Sequence, residues 1–160
     1  MATLSLERDW NEFLCALIDR RVKFVVIGGV AVAAHAEPRF TKDLDVLVEA
    51  TIANGKRLRA ALADFGFGAV APDPIEFVKP GPGWMLGRAP LRIDILTKIS
   101  GISFRRAWQN RVYARLDERR RVPILSRADL IAAKRAAGRP QDLADAANLR
   151  AFARSGRKQR

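Results

Sequence analysis

The 160-residue sequence has one cysteine, Cys15, and one histidine, His35. A single cysteine excludes an intramolecular disulfide and every cysteine-based zinc site. A single histidine restricts any Ser-His-Asp triad to His35, and no Gly-x-Ser-x-Gly accompanies it. Acidic residues are scarce, with 17 Asp and Glu against 29 Lys and Arg, so the formal net charge is +12. Such an excess points to a polyanionic partner: nucleic acid, nucleotide or an acidic protein. No apolar run approaches the roughly 18 residues that a spanning helix needs. No helical pattern joins a basic face to a broad Trp/Phe/Leu face, which disfavours a membrane surface. The opening MATLSLERDW carries acids and arginine and no apolar signal core. These absences predict a soluble cytoplasmic chain in a reducing compartment, without membrane contact. Half of the chain is apolar (49%), enough for one real core.

Residues 5–20 read as an amphipathic helix, with Leu6, Trp10, Phe13, Leu14, Leu17 and Ile18 on one stripe. Cys15 lies beside that stripe and reads as a small buried hydrophobe. Residues 22–27 are β-branched and apolar and end on Gly28-Gly29, a strand running into a tight turn. A short helix of small residues follows over 30–35, and Pro38 stops it. Residues 43–48 alternate for three positions and then turn fully apolar, the pattern of a strand buried on both faces at one end. Thr51 caps a helix through residue 65, which Gly66 and Gly68 close. Residues 68–87 read as turns with short strands at 75–78 and 84–86. A third strong strand spans 91–96, with Arg92 and Asp94 on one face. A helix over 103–110, strands at 112–116 and 121–124, a helix capped by Ser126 to about 137, and a helix opened by Pro140 to about 153 complete the chain. Residues 155–160 read as a basic flexible tail.

Three features fall in a telling order. A strand ends on Gly28-Gly29; after thirteen intervening residues a strand begins with Asp43 and Asp45; and a further strand carries Asp94. Residues i and i+2 of a strand share a face, so Asp43 and Asp45 project together. Adjacent carboxylates repel and need positive charge between them. A hard divalent cation with oxygen ligands is the natural candidate, and Mg²⁺ keeps positions open for phosphate oxygens. Asp94 joins the site if its strand lies beside that of Asp43. An ionised carboxylate between isoleucines needs a partner; Arg92, on the same face, is the alternative to a metal. The helix behind Gly29 offers free N–H groups to an anion, glycine permits close approach, and Arg39, Thr41 and Lys42 stand nearby as phosphate ligands.

The segment Ile27-Gly28-Gly29, then Asp43-Leu-Asp45-Val46, then Ile93-Asp94-Ile95 resembles the signature of the nucleotidyltransferase superfamily, which includes DNA polymerase β and CCA-adding enzymes. Within it, the chain is most similar to the small AbiEii-like, minimal nucleotidyltransferases of toxin–antitoxin loci. The shared motifs are the Gly-Gly turn, R-x-T-x-D-h-D (Arg39, Thr41, Asp43, Asp45), R-h-D-h-L (Arg92, Asp94, Leu96) and a softer helical motif (Lys134, Arg139, Asp142, Asp145). The resemblance covers about residues 22–150. It implies an α/β (α+β) nucleotidyltransferase fold over residues 1–154, with a central mixed sheet, flanking helices and two C-terminal helices beside the cleft. It also implies Mg²⁺-dependent (or Mn²⁺-dependent) transfer of NMP from an NTP to an acceptor hydroxyl. Asp43, Asp45 and Asp94 would be the catalytic and metal-binding residues. Asp94 would bind a second metal and help activate the acceptor. Gly28, Gly29, Arg39, Thr41, Lys42 and Lys134 would bind the nucleotide.

For Lys134 a solvated helix position is an equal reading. Asp142 and Asp145 read as structural, Asp142 near a helix N-terminus opposite Arg139. His35 reads as packing; Trp84 and Trp108 read as core or lid aromatics, with base stacking as the alternative for Trp84 in its Gly/Pro loop. The basic surplus suggests RNA, such as tRNA, as acceptor, with protein as the other option. Arg105-Arg106, Arg119 to Arg121 and Arg150 to Arg160 are the candidate contact segments. A cognate toxin–antitoxin protein is the expected partner. The alternative is a nucleotide- or RNA-binding component of such a pair that does not turn over.

Overall fold

The computed structural model describes residues 1–88 and 90–158, and the side chains of all of these except Arg157 and Lys158. Helix α1 (Arg8–Asp19) forms where the apolar stripe predicts it and buries Trp10, Phe13, Leu14 and Leu17. Its chain turns at Arg21 and enters β1 (Phe24–Ile27), whose four residues are all buried. Helix α2 (Gly28–His35) follows with no intervening turn. β2 (Asp43–Val48) is half-buried at Asp43 and Asp45 and fully buried from Val46 to Val48, as its sequence pattern requires. α3 (Ile52–Asp64) starts at its Thr51 cap, whose side chain accepts from the Asn54 N–H. β3 (Trp84–Leu86), β4 (Arg92–Leu96), α4 (Phe104–Asn110), β5 (Val112–Arg115), β6 (Arg121–Ile124), α5 (Arg127–Ala137) and α6 (Pro140–Lys158) complete the order.

The six strands form one mixed sheet in the order β3-β4-β2-β1-β6-β5. β2 lies between β1, antiparallel to it, and β4, parallel to it. β1 also pairs in parallel with β6, and β3 and β5 are antiparallel edges. The two strands that carry the acidic residues are therefore direct neighbours at the sheet centre. Leu44, Val46 and Leu47 of β2 join Ile93 and Ile95 of β4 and the α1 and α3 side chains in one continuous core. The α5–α6 pair stands at the end of the sheet where β1 runs into α2, and packs on α2.

Two elements differ from the sequence expectation. Residues 75–78 are not a strand: a 3-10 turn occupies Pro74–Val78. Asp73 caps it by accepting from the Ile75 N–H, and only Phe77 is buried, against Trp84 at a centroid distance of 4.4 Å. One anchor flanked by exposed Ile75 and Val78 lacks the alternating burial that holds a strand. Residues 155–158, expected in a flexible tail, continue α6; Gln159 and Arg160 lie outside the described residues.

A buried polar joint holds the sheet to α3. Asn54, 1% exposed, accepts from the Lys23 N–H at 2.8 Å and donates to the carbonyls of Lys23 and Glu49, each at 3.0 Å. One side chain thus satisfies the Lys23 N–H and adds a second donor to two carbonyls that also accept from the Glu49 and Thr51 N–H groups at 3.1 Å. Asn54→Ala leaves the Lys23 N–H unpaired, and the expected loss is about 1–3 kcal/mol in urea unfolding with an unchanged slope. An unchanged midpoint would show that the joint carries no stability.

Candidate active site

The register of two parallel strands builds the site. Asp43 lies opposite Arg92, and Asp45 opposite Asp94, across β2 and β4. Alternation then places Asp43, Asp45, Arg92 and Asp94 on one face. On the other side of β2, Ile27 is opposite Asp45, so β1 delivers Gly28 directly onto that carboxylate. Gly28 has φ +66°, and a Cβ there would stand 2.2 Å from Asp45 Oδ2. A Cβ on Gly29 would meet Thr41 Oγ1 at 2.8 Å and a guanidinium nitrogen of Arg39 at 3.3 Å. Both glycines are needed because side chains close over them. α2 begins at Gly28 without a side-chain cap, which leaves first-turn N–H groups to other partners.

Charge on this face is unevenly satisfied. Arg92 donates to Asp43 Oδ2 at 3.1 Å and to Asp94 Oδ2 at 3.2 Å, and its Nε lies 3.0 Å from Asp43 Oδ1 without hydrogen-bond alignment. Arg92 is thus the arginine partner that the sequence offered as an alternative for Asp94. Among the described residues, Asp45 makes no ion pair. Burial, then the neighbouring Asp94 and Asp43 carboxylates, push its pKa up to about 7. Two facing carboxyls, one poorly able to ionise, supply hard oxygen donors of the type that Mg²⁺ takes. Among the described residues no three acidic, histidine or cysteine side chains stand ready as a metal cluster, and Arg92 already engages oxygens of Asp43 and Asp94.

A second wall holds cations in place. Arg39 donates from two nitrogens to the two carboxylate oxygens of Asp145, at 2.8 and 2.9 Å. Lys134 Nζ lies 3.0 Å from Asp145 Oδ2 and 3.3 Å from Asp142 Oδ1. Arg139 closes on Asp142 at 2.7 Å. The Asp142 and Asp145 side chains are each only 2% exposed. Burial alone would raise the Asp145 pKa, yet Arg39 and Lys134 hold it below the ordinary carboxylate range. Asp142 and Asp145, expected to be structural, therefore anchor the two cations predicted to meet phosphate. Lys134 is buried and paired, not a solvated lysine. Lys42 is exposed and, among the described residues, makes no ion pair.

These walls line a cavity of about 520 Å³. All nine predicted site residues, Gly28, Gly29, Arg39, Thr41, Lys42, Asp43, Asp45, Asp94 and Lys134, contribute to it. Sequence reasoning missed Phe40, whose ring has no periodic pattern around it, and an apolar wall of Leu96, Ile99, Leu130 and Ala133. His35 packs as expected: its Nε2–H donates to the Leu125 carbonyl at 2.7 Å, and burial lowers its pKa. Trp84 packs on Phe77, and Trp108 stacks on Phe104 under Arg111, both outside this cavity. Of the candidate basic segments, Arg106 is taken by Asp129 and Arg120 by Asp19 and Asp117. Arg105, Arg119, Arg121, Arg150 and Arg154 are exposed.

A mixed sheet with two carboxylates on one strand, a third on its neighbour and a glycine turn closing over them is consistent with an α+β nucleotidyltransferase-like fold. A family model described as "Nucleotidyltransferase of unknown function (DUF6036)" matches residues 5–153, and the chain belongs to that family. No curated protein matches the chain. Among the described residues, no helix is long and apolar enough to cross a membrane.

Two outcomes follow from this geometry. Asp45 binds its proton more tightly folded than unfolded. Its contribution to stability is therefore complete below about pH 4 and lost as pH rises through about 7. Thermal midpoints of wild type in EDTA should carry this decline from pH 4 to 8, and Asp45→Asn should lack it; identical slopes would contradict the shift. Gly28→Ala meets both positive-φ strain and the Asp45 contact, whereas Gly66→Ala meets positive φ (+96°) in open space. Gly66→Ala should cost about 1–2 kcal/mol and Gly28→Ala clearly more; equal losses would show that Asp45 does not press on Gly28.

Proposed function

We propose that the chain is a metal-dependent nucleotidyltransferase that moves NMP from an NTP to an acceptor hydroxyl, with RNA as the acceptor. The observation that carries this is the Asp45–Asp94 pair, placed face to face by strand register beside Asp43. Asp43, Asp45 and Asp94 would hold Mg²⁺ or Mn²⁺, which when bound stabilises charge on the phosphoryl oxygens and lowers the pKa of a coordinated hydroxyl. Gly28 and Gly29 line the cavity at the start of α2, whose first-turn N–H groups would meet the triphosphate. Lys42 and the anchored Arg39 and Lys134 supply its counter-charge. Asp94 takes the proton of the acceptor hydroxyl. Arg92 balances Asp43 and Asp94 and orients both carboxylates.

The net charge of +12 supports RNA as acceptor, because Lys and Arg contacts to phosphates drive such binding. The resemblance to AbiEii-like proteins supports a role in a toxin–antitoxin pair beside a cognate protein. One observation favours a second reading. Arg92 already engages Asp43 and Asp94, as it would in a component that binds nucleotide or RNA without turnover.

Labelled NTPs, Mg²⁺ and total tRNA distinguish them. Wild type should label RNA, and Asp43→Asn and Asp45→Asn should each lose about 100-fold or more in rate, several kcal/mol of transition-state stabilisation. Equal labelling by all three proteins would refute the assignment. Saturable NTP binding by wild type without pyrophosphate release would favour the second reading.

A further inference from the structure

We propose that Phe40 is the stacking platform for the base of the nucleotide whose phosphates enter at Gly28 and Gly29; this rests on the nucleotidyl-transfer reading above. Phe40 is 76% exposed, the most exposed of the large hydrophobic side chains among the described residues. A phenyl ring in water forgoes the gain of burial, so its position at the cavity needs a cause. Seven other aromatics contact one another, Phe13 with Phe65, Phe65 with Phe67, Phe77 with Trp84, and Phe104 with Trp108, while Trp10 and Phe24 are buried in the core and Tyr113 lies under Arg111. Phe40 has no aromatic partner among the described residues.

The ring is carried on a braced segment. Arg39, before it, is held through Nε and Nη2 by the two Asp145 oxygens and also donates from Nη1 to the Phe40 carbonyl at 3.1 Å. Thr41, after it, donates from Oγ1 to the Asp43 carbonyl at 3.1 Å. Arg39 and Thr41 turn onto Gly29, while the ring between them stays in solvent at the cavity rim. A rigid backbone presenting an aromatic with two free torsions loses little on ordering. Within two residues stands Lys42, exposed and unpaired among the described residues. A flat π face and a cation at one rim, above a glycine-lined floor, match the two halves of a nucleotide. Stacking recognises any base by its face, so Phe40 supplies affinity with weak base preference.

Calorimetry compares ATP with inorganic tripolyphosphate, both with Mg²⁺ and without acceptor, on wild type, Phe40→Ala and Phe40→Trp. Phe40→Ala should weaken ATP binding roughly 5- to 100-fold, the range for loss of one base–aromatic stack. Tripolyphosphate binding should stay within about twofold, and Phe40→Trp should keep wild-type affinity for ATP. The proposal is overturned if Phe40→Ala binds ATP like wild type or if it loses both ligands equally. Wild type binding neither ligand would sink the nucleotidyl-transfer reading and this inference with it. ATP binding by wild type that Phe40→Ala matches would sink this inference alone.

Discussion

The parallel, in-register pairing of β2 with β4 is the constraint from which the rest of the site follows. It sets Asp45 opposite Asp94 and Asp43 opposite Arg92 at the centre of the sheet. A slip of one residue would turn β2's acids to the other face and its apolar partners out of the core. The fully buried Leu44 and Val46, on the face opposite the acids, forbid that slip. Core packing thus fixes a face on which like charges meet in a poorly solvated place. Arg92 relieves Asp43 and Asp94, while Asp45 remains against Asp94 with its charge suppressed. A face built this way favours cations, which is the electrostatic basis for reading it as a metal and phosphate site.

The opposite wall has the reverse logic. Asp142 and Asp145, buried near the start of α6, take charge from Lys134 and Arg39. Each buried charge here is paired, so the network fixes α5, α6 and the loop before β2 in one arrangement. Removing one acid would strand a cation, whereas removing one glycine would close the floor between the walls. The walls are coupled: Lys134 also lowers the cost of charge on Asp45. Acidic strands, glycine floor and anchored cations therefore form one unit of the fold.

Much of this was legible in the residues. Asp43 and Asp45 stood out because i and i+2 of a strand must share a face, and Asp94 because a carboxylate between isoleucines demands a partner. The main strands and helices followed from β-branched runs, apolar periodicity and the Thr51 and Ser126 caps. What the residues could not give was long-range geometry. Arg92 reaches across strands to Asp43, 49 positions away, as well as to its own i+2 neighbour Asp94. Asp145 grips Arg39 across 106 positions, so its anchoring role had no local signal. A lone aromatic such as Phe40 has no period to place it, and Phe77 turned a strand-like run into a 3-10 turn through a single buried ring.

The central claim is that Asp45 and Asp94 share one charge-frustrated site that a divalent cation relieves. Carbon-detected NMR titration of the aspartate carboxyls, with and without saturating Mg²⁺, reads it residue by residue. The account predicts an Asp45 resonance that titrates near pH 7 alone and moves well below that value with Mg²⁺. An Asp45 that titrates like an ordinary surface aspartate and ignores Mg²⁺ would contradict it.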